Sequence, residues 1–136
     1  SPPGEPALLV FGTRHPATRA QIAHLARVRR AGAHRLLDLS TELGGDIGPR
    51  AAALAIGARL ATLLPALPPP GHLVAGGGAT LAAILHAVGA RALDVIGQVV
   101  PGVPCSRIVG GGWDGVRVTS KSGGFGAPEL LEVLLG

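Results

Sequence analysis

Lys121 is the sole lysine of the chain and stands directly before Ser122, Gly123, Gly124, Phe125 and Gly126. An ammonium beside closely spaced glycines can hold an anion: the cation attracts it, and residues without Cβ atoms let backbone N–H groups come near. A second segment, Gly76-Gly77-Gly78-Ala79-Thr80, ends an apolar run and opens a helical one. The unpaired N–H groups and the dipole at such a helix start favour a phosphate. A third, Gly12-Thr13-Arg14-His15-Pro16-Ala17-Thr18, follows another apolar run and offers two hydroxyls. Each has a plainer reading. The glycines at 76–78 can simply make a tight turn, those at 123, 124 and 126 can serve a loop that needs positive φ, and a lone lysine is often a solvated surface group.

Other catalytic spacings are not met. Gly110-Gly111-Gly112-Trp113-Asp114-Gly115 fits G-x-G-x-x-G in letters, but Val116-Arg117-Val118 after it reads as a strand, so the helix start that a dinucleotide fingerprint needs is missing. A glycine-rich hairpin is expected there. Lys121-Ser122 lacks the preceding glycine of a P-loop and opens no helix. The histidines at 15, 24, 34, 72 and 86 have neither zinc-ligand spacing nor cysteine partners, so no metal site is expected. No G-x-S-x-G elbow occurs. The eight acids give no close pair at a strand end, as two-carboxylate chemistry or a full magnesium site would require.

The elements that must position the three segments follow from the apolar periodicity. Ala7 to Phe11, Arg35 to Leu39 and His72 to Ala75 read as buried strands. Thr18 to Arg30 reads as a helix with Thr18 as N-cap and Ile22, Leu25 and Ala26 on one face. Arg50 to Leu64 is a second helix stopped by Pro65, and Pro68-Pro69-Pro70-Gly71 is a stiff connection. Thr80 to Val88 is a third, closed by Gly89. The period then changes. Asp94 to Val100, Arg107 to Val109 and Val116 to Thr119 read as strands, separated by Pro101-Gly102-Val103-Pro104 and by Gly110 to Gly115, before a last helix from Pro128 to Leu135. The pattern predicts an α/β layered sandwich with a mixed, partly parallel sheet and glycine-rich loops at the strand carboxyl ends. Open α/β sheets bind ligands at that edge, where all three segments would lie.

Composition narrows the class further. The 136 residues fit one domain, 1–136, with 1–6 as a linker or disordered start. The 22 glycines and 12 prolines approach the level of disordered chains, yet 47% hydrophobic residues supply a core built on Leu, Val, Ile and Ala. Cys105 is the lone cysteine, which excludes a disulfide scaffold and fits a reducing, cytoplasmic setting. No signal peptide or transmembrane segment is expected, since Ala51 to Leu67 is interrupted by Arg59 and Pro65. The chain has no Met and is expected to be part of a longer protein. A net charge of +4 invites a nucleic-acid reading. The arginines are scattered, however, apart from Arg27, Arg29 and Arg30 at one helix end, and no aromatic ladder accompanies them, so nucleic acid is not the expected partner.

Four segments in order carry a resemblance: Gly12-Thr13 with Pro16, Thr18 and Gln21; Gly77-Gly78-Ala79-Thr80; Pro101-Gly102-Val103-Pro104; and Lys121-Ser122-Gly123-Gly124-Phe125-Gly126. From about Ala7 onward the chain resembles the C-terminal nucleotide-binding domain of the four-carbon acid sugar kinases. These enzymes phosphorylate threonate, erythronate and 3-oxo-tetronates with ATP. The resemblance implies nucleotide contacts at Thr13, which keeps the hydroxyl of the family's Ser, at Gly77, Gly78, Ala79 and Thr80, and at Lys121, Ser122, Gly123 and Gly124. Ala79 stands where the family has an acid. The resemblance further implies ATP with Mg2+ as cofactor and a sugar-acid partner held by an N-terminal domain that nothing here matches. It also leaves room for a homodimer. On this reading the chain alone turns over no sugar acid. A non-catalytic nucleotide- or anion-binding regulatory module is the alternative.

Overall fold

The computed structural model describes residues 6–28, 34–42 and 48–135. Ala7–Phe11 forms β1, Pro16–Val28 α1, Arg35–Asp38 β2, Pro49–Leu63 α2, His72–Gly76 β3 and Gly78–Ala87 α3. Ala92–Val100, Val103–Val109 and Arg117–Lys121 are β4, β5 and β6, and Leu130–Leu135 is α4. The six strands make one sheet in the order β2-β1-β3-β6-β5-β4. β2, β1, β3 and β6 run parallel, while β5 and β4 are antiparallel additions at one side. The mixed, partly parallel sheet is the predicted fold class.

Strand alternation divides the core into two layers. Leu8 and Val10 of β1, with Leu73, Ala75 and Val118, meet Ile56, Leu60 and Ile84 from α2 and α3. Leu9 and Phe11, with Val74 and Val103, meet Leu130, Leu131 and Leu134 of α4, against which Ile22 and Leu25 of α1 also pack. Helices therefore cover both faces, which is why β1 and β3 are apolar at nearly every position. β1 connects through α1 to β2 on one side, and β2 connects back through α2 to β3 on the other side of β1. This reversal creates a switch point between β1 and β3, the place in an open α/β sheet where ligands bind.

Several boundaries differ from the sequence expectation, each for a local reason. α1 begins at Pro16, not Thr18, because proline suits the first helical position and His15 supplies the cap: its Nδ1 accepts the Ala17 N–H at 3.1 Å. Thr18 is instead buried inside the first turn, and Ala26 is exposed. Residues 1–5 of the expected linker, and Arg29 and Arg30, lie outside the described residues. β2 stops at Asp38, with Leu39 opening a 3-10 turn. α3 begins two residues before Thr80 because Gly77, at φ +98, turns the chain immediately. Gly89 closes that helix as expected, with paired bonds from its own N–H to His86 O and from Ala90 N–H to Leu85 O.

Only the first half of the segment 101–104 separates β4 from β5; Val103 and Pro104 belong to β5. Pro101 and Gly102, the latter at φ +87, form a two-residue turn, and Val100 pairs with Val103 across it. Pro104 sits within β5 opposite Gln98, beside a register shift in β4 that accommodates its missing N–H. β6 runs on to Lys121, two residues past its expected end at Thr119. Gly110 to Gly115 makes the expected connection between antiparallel β5 and β6. α4 starts at Leu130, not Pro128, since the Ala127 carbonyl is taken by the Leu130 N–H and by Gln21 before a helical ladder begins.

Candidate functional site

Sheet register brings the three glycine segments together. Phe11 pairs with Gly76, and Gly76 pairs with Lys121, so β1, β3 and β6 end level with one another. The β4–β5 turn reaches the same edge, for a Cβ on Gly102 would meet Phe125 Cε2 at 2.8 Å. All four segments singled out in the sequence thus converge at the carboxyl edge of the parallel strands, across the switch point.

The loop after β1 is tied down from several sides. A Cβ at Gly12 would meet Thr80 Oγ1 at 2.6 Å, so only glycine allows β1 and α3 this approach. Thr13 is half-buried; its Oγ1 accepts the His15 N–H at 3.1 Å and its carbonyl accepts from Arg19 at 3.1 Å. Arg19 also grips Asp38, at the end of β2, with two bonds of 2.6 and 3.0 Å. Burial pushes the Asp38 carboxyl up, but its hydrogen bonds with Arg19 and Ser40 prevail and hold it below the usual carboxylate value. Asp38 is therefore ionised and committed to Arg19.

The second loop is open. Gly77 donates its N–H to Lys121 O at 3.0 Å, linking β3 to β6, and no side chain caps α3. Gly78 and Ala79 are exposed, and a Cβ at Gly78 would meet nothing within 4 Å. Thr80, by contrast, is buried in the first turn. An uncapped helix start with free space before it leaves several N–H donors for an anion.

The third loop buries Lys121, against the plainer reading of a solvated surface group. Its side chain is only 3% exposed. Nζ donates to Ser122 O at 2.7 Å, to Thr18 Oγ1 at 2.9 Å and to Gly123 O at 3.4 Å. Burial lowers its pKa. The lysine is thus neither solvated nor at the surface; it lies beneath the glycine loop because β6 carries it to the last buried strand position. Gly123 and Gly124 have no positive φ, and only Gly126, at φ +98, needs one. Close approach explains the first two: a Cβ at Gly123 would meet Thr13 Oγ1 at 2.9 Å, and one at Gly124 would meet His15 Nε2 at 2.9 Å. Ser122 is exposed at the rim.

Two residues acquire roles that sequence reasoning did not give them. Thr18, expected as a cap, donates its hydroxyl to Gly123 O at 2.7 Å. Gln21, fully buried one turn on, donates Nε2 to the carbonyls of Phe125, Gly126 and Ala127 at 2.9, 3.0 and 3.2 Å. Two polar residues three apart, on the face shared with Ile22 and Leu25, were the available signal. Among the described residues, no three His, Cys, Asp or Glu side chains are grouped to hold a metal. No helix among them is long and apolar enough to cross a membrane. Two apolar concavities, of about 260 and 370 Å³, are lined mainly by the proline-rich connection after α2 and by Trp113, away from the glycine loops.

Residues 30–131 match the nucleotide-binding C-terminal domain family. A D-threonate kinase from Bordetella bronchiseptica is 37% identical over 59 residues, which are 43% of this chain and 15% of the relative. Among solved structures, a domain of unknown function from the same species, crystallised with bound citrate as a domain-swapped dimer, superposes with a TM-score of 0.75 at 24% identity. That match covers 96% of this chain and 40% of the neighbour. A putative tRNA synthase from Salmonella typhimurium LT2 gives 0.67 at 14% identity, over 96% of this chain and 39% of its own. The chain thus spans well under half the length of each of these proteins.

Proposed function

The chain belongs to the nucleotide-binding C-terminal domain family, as its resemblance to the four-carbon acid sugar kinases implied, and from that premise we propose that its β1, β3 and β6 loops hold ATP for phosphoryl transfer to a four-carbon sugar acid. The observation that supports this reading is the register Phe11–Gly76–Lys121, which ends β1, β3 and β6 level, so that the segments carrying Thr13, Gly77 to Thr80 and Ser122 to Gly124 start from one edge of the sheet. Their chemistry fits a polyphosphate: backbone N–H donors, a hydroxyl at Thr13, a helix start, and a buried ammonium below.

Phosphoryl transfer asks little covalent chemistry of the protein. Catalysis is positioning and charge stabilisation, with the transferred group held in line with the acceptor hydroxyl. In this division of labour the present loops fix the nucleotide, and the rest of a longer protein presents the sugar acid. The chain alone then turns over no threonate or erythronate. Magnesium would enter with the polyphosphate, whose charge it neutralises; Ala79 offers it no carboxylate, and Asp38 is held by Arg19. A homodimer is part of the same proposal, supported by the dimer of the Bordetella neighbour. The regulatory-module alternative rests on Ala79 alone and is not favoured beside a kinase relative.

Calorimetric titration of the 136-residue chain with ATP, ADP, GTP and a single-stranded oligonucleotide tests the reading. The expected Kd for ATP is about 10 µM to 1 mM, or about −4 to −7 kcal/mol, because three loops bind without a second domain to close over them. Heat from the oligonucleotide alone would replace this function with another.

A further inference from the structure

The glycine loop after β6 is held almost entirely by its carbonyl oxygens. Ser122 O and Gly123 O accept from Lys121, Gly123 O also accepts from Thr18, and Phe125 O, Gly126 O and Ala127 O accept from Gln21. In a trans peptide the N–H of the next residue points opposite to the carbonyl, and the described chain has no cis bonds. Turning these carbonyls toward α1 and Lys121 therefore turns the N–H groups of Gly123, Gly124, Gly126 and Ala127 the other way. None of these four N–H groups donates to another group among the described residues. Beneath them lies Lys121, with three oxygen partners and no carboxylate within ion-pair distance among the described residues. A buried cation without a local counter-charge leaves a positive field above the loop.

We propose that Thr18, Gln21 and Lys121 are positioning residues that pull the loop carbonyls inward, so that the amides of Gly123, Gly124, Gly126 and Ala127 form the nest for the nucleotide's phosphates. This rests on the ATP reading above and deepens it. Lys121 acts from below through the peptide groups of Ser122 and Gly123, not as a direct phosphate ligand. Gln21 sets the far half of the loop, and Thr18 braces the near half by accepting from Lys121 while donating to Gly123. The ligand class is a polyphosphate; the nucleobase plays no part in this contact.

The test follows backbone amide resonances of the ¹⁵N-labelled 136-residue chain during titration with ATP, ADP, pyrophosphate and adenosine. The first three should shift Gly123, Gly124, Gly126 and Ala127, and adenosine should not. Shifts at Gly78 to Thr80 on ATP addition, with 123–127 unmoved, would overturn the nest and leave the ATP reading standing. No response to ATP anywhere would overturn both. Thr18→Val removes the hydroxyl at nearly constant shape and should weaken ATP by about three- to tenfold, the loss of roughly one hydrogen bond, while Thr18→Ser restores it. A residue that only stabilised the fold would lower the melting temperature and leave ATP affinity unchanged. If Thr18→Val does not fold, the wild-type titration decides the case on its own.

Discussion

Thr13 and Gly123 touch: a Cβ on Gly123 would lie 2.9 Å from Thr13 Oγ1 and 3.3 Å from Thr13 Cγ2. The contact closes the gap between the loops after β1 and β6, and both residues belong to the proposed nucleotide site. Gly123→Ala must push Thr13 aside, at a cost of about 1 kcal/mol in stability, and should weaken ATP about tenfold. Backbone φ is not the reason, since Gly123 has none in the left-handed region. Thr13→Ala in the same chain relieves the crowding, so urea denaturation of both single variants and the double variant should show a coupling of about 0.5 to 1 kcal/mol.

Lys121 predicts a pH dependence of stability. Its pKa is lowered in the fold by burial, so between that value and 10.5 the unfolded chain binds the extra proton. Stability then rises with pH through this window, and below it the burial penalty is fully present. Lys121→Met keeps the side-chain length and removes the titration. Urea unfolding from pH 7 to 10 should show wild type gaining stability relative to this variant; parallel curves would mean the ammonium is solvated.

His72 predicts the opposite end of the pH scale. The ring is 1% exposed, its Nε2 lies 2.6 Å from Thr119 Oγ1, and burial, followed by the charge of Arg117, lowers its pKa to about 4. Unfolded, it titrates near 6.5, so the unfolded state takes up the proton first as pH falls. About 3 kcal/mol of stability should therefore disappear between pH 6.5 and 4. His72→Gln should be less stable at pH 7 but flatter over that interval, as measured by thermal melts.

These contrasts mark what the sequence makes legible. β1, β3 and α2 are readable because a strand covered on both faces is continuously apolar and a proline stops the helix. The three glycine segments are readable as neighbours at one edge because parallel strands must end together there. Lys121 is not readable as buried: its partner Thr18 is 103 positions away, and only tertiary packing brings them to 2.9 Å. The β4–β5 hairpin is also hidden, since Pro101 and Pro104 look like breakers until Gly102 and the shifted register absorb them. Likewise, histidine is an uncommon cap, so the start of α1 at Pro16 is masked.

Ala79 tests the loss of the family's acid at this position. It is exposed at the second helical position of α3, where Ala79→Asp adds a carboxylate at the helix start. Interaction with the helix dipole should add about 0.3 to 1 kcal/mol of stability. Binding of ATP with Mg2+ should tighten, whereas metal-free ATP should bind more weakly because like charges meet. Calorimetry in magnesium and in chelator distinguishes the two; equal changes in both would show that position 79 does not face the metal-bearing phosphates.

The most direct measurement is amide hydrogen exchange of the 136-residue chain with and without several millimolar ATP. Peptides covering 12–19, 76–82 and 121–127 should all exchange more slowly with ATP, while the exposed edge strand β4, 92–100, should not change. Protection confined to β4 or to the proline-rich connection, or none at any position, would contradict a nucleotide site at the carboxyl ends of β1, β3 and β6.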